Sequence, residues 1–489
     1  MSSGRFLDKS LKFDWFFLGV TLALMTIGVC LVYSATTGDD IPLYNTFWFK
    51  QIIYFVGGTV LASGIACMKL DWLKNLAVPL YVLSLLMLCI VLFLAGDVVK
   101  GAGRWIDLGI FKLQPSEFAK ISYLLTISYW LSKHPVSLFK LKSFVVPFLL
   151  FIVPFALVLK QPDLSTALVF TAVTLIAFFF AGLSVTDLFL VVSPVLSVLL
   201  SHSQTLVFQV LWGVFICVVV FALFRRKLPK ILMAVFLVVN ILSGYASSMA
   251  WNMLEPHQQK RVNTFLDPMS DPLGDGYQVL QSITAIGSGG AVGKGFGNGS
   301  QTNLAFLPEE HTDFIFSVLG EQFGFFGCSL VLLLFALFLW RASGICKMSS
   351  DPFVTLVTMG ASTIILFHVV VNIAMTVGLM PVTGLPLPFI SYGGSFAFTC
   401  MVLVGFLVNM RLHSHRGAWS NVLLPRKRTH ALVQLVRIMR SNPSQHLLHA
   451  RSRTAPQAGT QAVFVFAEER HAASQRTNAL TSQLLELDS

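Results

Sequence analysis

Pro308-Glu-Glu-His-Thr-Asp313-Phe-Ile-Phe-Ser-Val-Leu-Gly-Glu321-Gln-Phe-Gly-Phe-Phe-Gly-Cys-Ser-Leu-Val-Leu-Leu-Leu-Phe-Ala-Leu-Phe-Leu-Trp340 opens on three acids and a histidine, then runs apolar to its end. Residues 313–340 exceed the roughly 17–25 residues with which a helix crosses a bilayer. This stretch sets the fold class: helices in a membrane, with a charged mouth at one end of at least one of them. Outward from it, apolar stretches recur near 15–34, 47–67, 76–95, 117–131, 144–160, 165–182, 187–202, 204–224, 231–250, 353–378 and 390–410. With 313–340 that makes twelve, of which 117–131 and 187–202 are short. The first follows Lys9 and Lys12 and lacks a clear small-residue cleavage site, so it reads as an uncleaved anchor.

Composition agrees. The 489 residues are 55% hydrophobic and 12% charged, with a mean hydropathy of +0.74; soluble domains carry about 25% charged residues. An ordinary soluble enzyme, a disordered chain and a disulfide-rich secreted scaffold are excluded. The net charge of +11 does not point to nucleic acid, because its excess lies after residue 411, where a membrane surface is the simplest partner. Residues 1–411 are expected to form an all-α polytopic bundle. Residues 412–489 read as a basic, disordered cytoplasmic tail, with 430–440 able to lie on the membrane as a short amphipathic helix. The seven cysteines show no metal-type spacing and read as packing residues.

Lys and Arg in the loops set the orientation. With the N-terminus inside, Lys69, Lys74, Lys133, Lys140, Lys142, Arg225, Arg226, Lys227, Lys230, Arg341 and Lys347 fall inside, and so does the tail. Most acids before the tail then fall outside. The long loop 251–312 is outside too, rich in Gly, Asp, Pro and Gln, and too patterned to be a mere connector. The segments 96–116, Lys160–Asp163 and Pro381–Gly394 share its face.

Chemistry is sought on that face. Asp313, at the mouth of an apolar helix, is either a helix N-cap or a desolvated carboxylate whose raised pKa suits a general base. His311 is a base or a loop residue, and Glu309 stands beside it. Glu321 lies eight residues deeper and needs a partner the sequence does not name. Gly287–Gly299 resembles a phosphate loop but fails the Walker pattern, since Lys294 is followed by Gly295. It is a flexible loop or an anion contact carrying Lys294. Gly101-Ala-Gly-Arg104-Trp105-Ile-Asp-Leu-Gly109, then Lys112 and Gln114-Pro-Ser-Glu117-Phe-Ala-Lys120, put Arg104 and Trp105 before a helix start with Glu117 and Lys120 three apart. The group reads as an interfacial anchor or a headgroup site. In Pro381–Ser395, which includes Ser391, Pro and Gly break a helix at membrane depth, tolerated only in contact with protein or a cavity.

Together these segments resemble the SEDS family (shape, elongation, division and sporulation). The matching segments are Gly101–Lys120, Gln161–Thr166, Asp271–Gln278, Ala285–Gly290, Leu307–Phe316 and Pro381–Ser395, within about residues 10–411. Ser288–Gly295 before Leu307-Pro-Glu is more similar to the RodA branch than to the FtsW branch. The resemblance implies a ten-span core, so the excess near 187–224 is expected to be an inserted hairpin. It implies a peptidoglycan glycosyltransferase that polymerises lipid II on the outer face of the cytoplasmic membrane for elongation, beside a class B penicillin-binding protein and the elongation machinery. Asp313 matches the family's catalytic acid; Trp105 and Glu117 match functional positions. No cofactor motif is present, although family members are helped by a divalent cation, Mg or Mn. Arg104, Lys112, Lys120 and Lys294 are candidates to neutralise a leaving diphosphate, with Glu309, His311 and Ser391 beside them as substrate contacts. A lipid II flippase and the division-specific FtsW-type polymerase are the alternatives. Paired broken helices from two related halves would favour the flippase, and only 381–394 is strongly broken.

Overall fold

The computed structural model describes residues 14–36, 42–94, 105–107, 112–138, 142–161, 163–201, 206–252, 256–267, 275–303 and 309–414. The proposed tail and Arg104 lie outside the described residues.

Among the described residues, nine helices precede the long loop: α1 Trp15–Ala35, α2 Phe47–Cys67, α3 Leu70–Leu94, α4 Pro115–Lys133, α5 Lys142–Lys160, α6 Leu164–Phe180, α7 Val185–Ser201, α8 Leu206–Arg226 and α9 Lys230–Tyr245. The loop itself carries α10 Ser247–Asn252, α11 Pro256–Leu266, α12 Asp275–Gly289 and α13 Ser300–Asn303. Then follow α14 Ile315–Ser343, α15 Pro352–Thr376 and α16 Gly394–His413. A two-stranded antiparallel hairpin, β1 Ile106–Asp107 with β2 Lys112–Leu113, precedes α4.

Among the described residues, twelve long helices thus stand where twelve apolar stretches were expected. Eight are long and apolar enough to cross a membrane; α6, α7 and α9 are apolar but shorter, and α4 carries Glu117 and Lys120. Expected boundaries shift where local chemistry intervenes. Helix α3 starts earlier, at Leu70, and runs through Pro79. The last helix starts only at Gly394, because 381–393 is irregular. Helix starts follow capping rules: Asp14, Asp163 and Asp351 each accept a backbone N–H of their own first turn, and Pro115 and Pro352 sit at first-turn positions.

Helices α4, α15 and α16 are largely buried. They also carry many of the buried polar side chains, which turn inward because lipid offers them no partner. Small residues bring α16 onto α2: a Cβ at Gly405 would lie 2.8 Å from the Ala62 oxygen, and one at Gly58 would lie 2.7 Å from the Met401 side chain. Asn409 then closes the end of α2, its amide donating to the Ile65, Ala66 and Met68 carbonyls.

Helices α7, α8 and α9 pack chiefly on one another. A polar ladder joins them: Asn240 donates to Ser193, Trp212 to Ser197, and Ser197 to the Asn240 carbonyl. Asp187 and Arg226 pair through two bonds of 2.7 and 2.6 Å. The expected extra hairpin is therefore part of a three-helix group that includes α9. The cysteines are free; Cys400 alone is buried, while Cys30, Cys67 and Cys217 are exposed on the helix surfaces, which corrects their reading as packing residues.

Candidate active site at the mouth of α14

Residues 309–314 form a tight turn before α14. The N–H groups of Thr312 and Asp313 both donate to the Glu309 carbonyl, and Glu309 takes a positive φ of 55°. Helix α14 begins at Ile315 with Phe314 as its N-cap and no side-chain cap, so the N-cap reading of Asp313 does not hold. Among the described residues its carboxylate accepts no hydrogen bond from protein. Burial pushes its pKa up to about 6; the Glu309 charge adds to this and Arg261 of α11 opposes it. Next door, burial and then the charge of Glu321 push Glu310 up to about 8, so it is protonated at neutral pH. His311 packs against Phe47 and Tyr392, at ring distances of 4.5 and 5.8 Å. Burial lowers its pKa, leaving it mostly neutral at pH 7.

The irregular segment 381–393 forms the opposite wall. Its carbonyls, which lipid would leave unsatisfied, are taken up by surrounding helices. Ser165 donates to Thr383, Asn372 to Leu385 and Gln51 to Ile390 and Ser391. Gly384, at φ +70°, faces the Asp313 carboxylate: a Cβ there would lie 3.3 Å from Asp313 Oδ2. The Tyr392 N–H donates to the His311 carbonyl. Ser391 is buried, and its hydroxyl accepts from the Leu387 N–H. It braces the turn rather than facing a substrate.

Behind that wall lies a buried charge cluster. Lys120 Nζ is 2.7 Å from Glu117 Oε1 and 3.2 Å from His368 Nε2. The ammonium has only protons to give, so Nε2 accepts; Nδ1 then carries the proton toward the Pro386 carbonyl at 3.2 Å. Lys120 is 1% exposed and committed to this cluster, which corrects its expected role as a cation open to a diphosphate.

The glycine-rich stretch is neither a flexible loop nor an anion cradle. It clamps a break in α14, where Gly324 takes φ 61° and ψ −158°. The Lys294 and Gly295 N–H groups donate to the Glu321 and Gln322 carbonyls freed by the break. Phe325 and Phe326 in turn donate to the Gly290 and Ala291 carbonyls. The Lys294 side chain is the missing partner of Glu321, 2.7 Å away, and also meets Ser300 at 2.6 Å. Its expected place beside a substrate anion gives way to this structural pairing.

The structure thus brings Asp313, Glu309 and His311 into one turn. Glu117 and Lys120 stand together behind the Pro381–Tyr392 wall. The hairpin that carries Trp105 and Lys112, both exposed, is tied to that wall through Ser395, whose hydroxyl donates to the Lys112 carbonyl and accepts from the Gln114 N–H. Asn372, His368, Gln51 and Arg261 were not singled out from the sequence. For the first three the signal was there: a lone polar residue inside an apolar span. Arg261 looked like any loop cation. Among the described residues no three His, Cys, Asp or Glu side chains gather as a metal site.

The model of the FtsW, RodA and SpoVE family, described as cell cycle proteins, matches residues 14–212 and 195–416. The chain belongs to that family. Its two matched pieces meet inside the α7–α8 hairpin, where the sequence carries its excess. Among relatives of this FtsW/RodA/SpoVE member, the peptidoglycan glycosyltransferase RodA of Treponema pallidum is 35% identical over 81% of this chain and 97% of its own. The peptidoglycan glycosyltransferase MrdB of Escherichia coli is 33% identical over 85% and 97%. A chain of a solved peptidoglycan synthase complex, described as coordinating polymerization and crosslinking, superposes with a TM-score of 0.60 at 29% identity, over 83% of this chain and 99% of that one. The crystal structure of Thermus thermophilus RodA, a rod shape determining protein, gives 0.53 at 25%, over 83% and 98%. The family member is an integral membrane protein with an all-helical membrane domain.

Proposed function

We propose that the chain is a peptidoglycan glycosyltransferase that polymerises lipid II on the outer face of the cytoplasmic membrane, with both termini inside and Asp313 as its base. The observation that carries this is the Asp313 carboxylate: it caps nothing, lies half-buried against the Gly384 wall, and burial raises its pKa to about 6, toward the pH at which a base works best. The acceptor sugar hydroxyl passes its proton to Asp313 as its oxygen bonds to the donor's anomeric carbon. The anomeric bond to the diphosphate breaks, and undecaprenyl diphosphate leaves with the electron pair. That leaving group needs cations more than an acid. With Lys120 and Lys294 committed elsewhere, Lys112 and Arg261 are the described cations assigned to it.

A groove of about 370 Å³ supports a lipid substrate. It runs between α2, α3, α4 and α16, from Leu113, Glu117 and Ser395 at the hairpin end to Met68, Leu73 and Phe406 at the other. Apart from Glu117, Ser395 and Thr399 its lining is apolar, as a polyprenyl tail requires. Relatives named RodA and MrdB, and the Ser288–Gly295 resemblance, support a role in elongation; the solved synthase complex supports a class B penicillin-binding protein as partner. Acidic side chains gathered at one mouth, Asp313 with Glu309 beside it, favour a transferase over a flippase.

The test is lipid II polymerisation by the purified chain with its partner. Asp313→Asn keeps the side chain's size and removes its basicity. It is expected to fold, bind the partner and lose roughly 10²–10⁴-fold in rate. Near-normal glycan synthesis by a folded Asp313→Asn would refute the assignment.

A further inference from the structure

Asn372 sits in the last turns of the apolar helix α15 and is fully buried. Its amide nitrogen donates twice, to the Asp313 carbonyl at 2.9 Å and to the Leu385 carbonyl at 2.8 Å. These two carbonyls belong to different irregular segments, the turn before α14 and the broken stretch before α16. Neither segment has a helix's internal ladder to fix it. Beside the Tyr392 N–H bond to the His311 carbonyl, this side chain ties the backbone that bears Asp313 to the backbone next to Gly384, whose α-carbon faces the Asp313 carboxylate. One turn back on the same face, His368 meets the Pro386 carbonyl, so the wall is held at two successive residues. Asn372 Oδ1 is itself buried without a partner.

We propose that Asn372 is the positioning residue of the base: it holds the Asp313 turn against the Gly384 wall, so that the carboxylate stays packed by protein and aimed at the acceptor. This rests on the reading of Asp313 as the base. Without Asn372 two carbonyls lose their donor, the turn separates from the wall, and the carboxylate reaches water. Misplacement of a reacting group by about 1 Å costs roughly 10²-fold in rate. A carboxylate that reaches water also titrates lower, since burial is what raises it. The charged groups that act on it are Glu309 on its own turn and Arg261 on α11. From α15 the titratable neighbour is His368, which is engaged with Lys120 and Pro386.

The experiment compares wild type, Asn372→Ala, Asn372→Ser and Asp313→Asn as full-length chains with the partner. Lipid II polymerisation is measured against pH and against lipid II concentration, per folded enzyme. Serine satisfies its hydroxyl on its own helix, so it guards against a fold lost in the alanine variant. Both Asn372 variants are expected to lose about 10–100-fold in kcat with KM nearly unchanged, and to show the acidic limb of the rate profile at lower pH than wild type. A fall in kcat with an unmoved limb, a change in KM alone, or wild-type behaviour would each overturn the proposal while an inactive Asp313→Asn keeps the base reading intact. An active Asp313→Asn overturns both.

Discussion

The Asp313 carboxylate has neighbours of both signs, and this makes its titration testable. As a base it works only when deprotonated, so polymerisation should fall as pH drops through about 6. Arg261 lowers that pKa and Glu309 raises it. Arg261→Ala should therefore move the acidic limb to higher pH, and Glu309→Gln should move it to lower pH. A limb that ignores both substitutions would show that another group controls the rate. At this scale the sequence was legible where residues sit in a dense motif. Asp313, Glu117 and Lys120 stand out from their own segments, and the structure keeps them at one end of the bundle. Asn372 and His368 were illegible in function because their partners, Asp313, Leu385, Lys120 and Pro386, are distant in the chain or lie in a broken stretch without regular geometry.

Among the elements, α14 shows how a break in a membrane helix is sustained. A helix interrupted at Gly324 leaves carbonyls and N–H groups that cost several kcal/mol each in lipid if unpaired. The Gly289–Gly297 stretch pairs them, and only glycine lets the two backbones come this close. A Cβ at Gly324 would sit 2.5 Å from the Gly293 nitrogen, and one at Gly293, at φ +83°, 2.2 Å from the Gln322 oxygen. Gly324→Ala is expected to destabilise the protein by about 1–3 kcal/mol from backbone strain alone, with the clash in addition. Gly64→Ala, on α2 with open space around it, should be neutral or slightly stabilising. Thermal unfolding of the two purified variants checks this; equal midpoints would remove the clamp. The sequence showed that the glycines were special but not why, since a phosphate loop and a backbone clamp use the same residue for the same lack of a side chain.

For the whole molecule, two expectations concern arrangement in the membrane. Loop charge places the glycine-rich clamp outside and the α8–α9 link inside. A cysteine introduced at Asn298 should react with an impermeant reagent added to intact cells, and one at Lys227 should react only after lysis. The reverse pattern would turn the molecule over and move the proposed site to the wrong face. The basic stretch beyond residue 415 carries none of the site residues. Truncation after that point is expected to leave polymerase activity within about twofold of wild type, as surface changes remote from a site generally do. A folded, inserted truncation without activity would show that the tail takes part.

The sequence by itself determined the membrane class, the positions of twelve helices, the family and the end of the bundle where chemistry gathers. These are local properties: apolar run length, loop charge and short motifs each reside in contiguous residues. Tertiary structure alone decided that Asp313 is not a cap, that Lys294 neutralises Glu321, that Lys120 belongs to a buried cluster with Glu117 and His368, and that Asn372 joins two irregular segments. Each of these turns on which groups a folded backbone brings within about 3 Å of one another. Cations and amides of the same type read alike in a sequence. Burial and partner set one to hold the fold and leave another open to substrate.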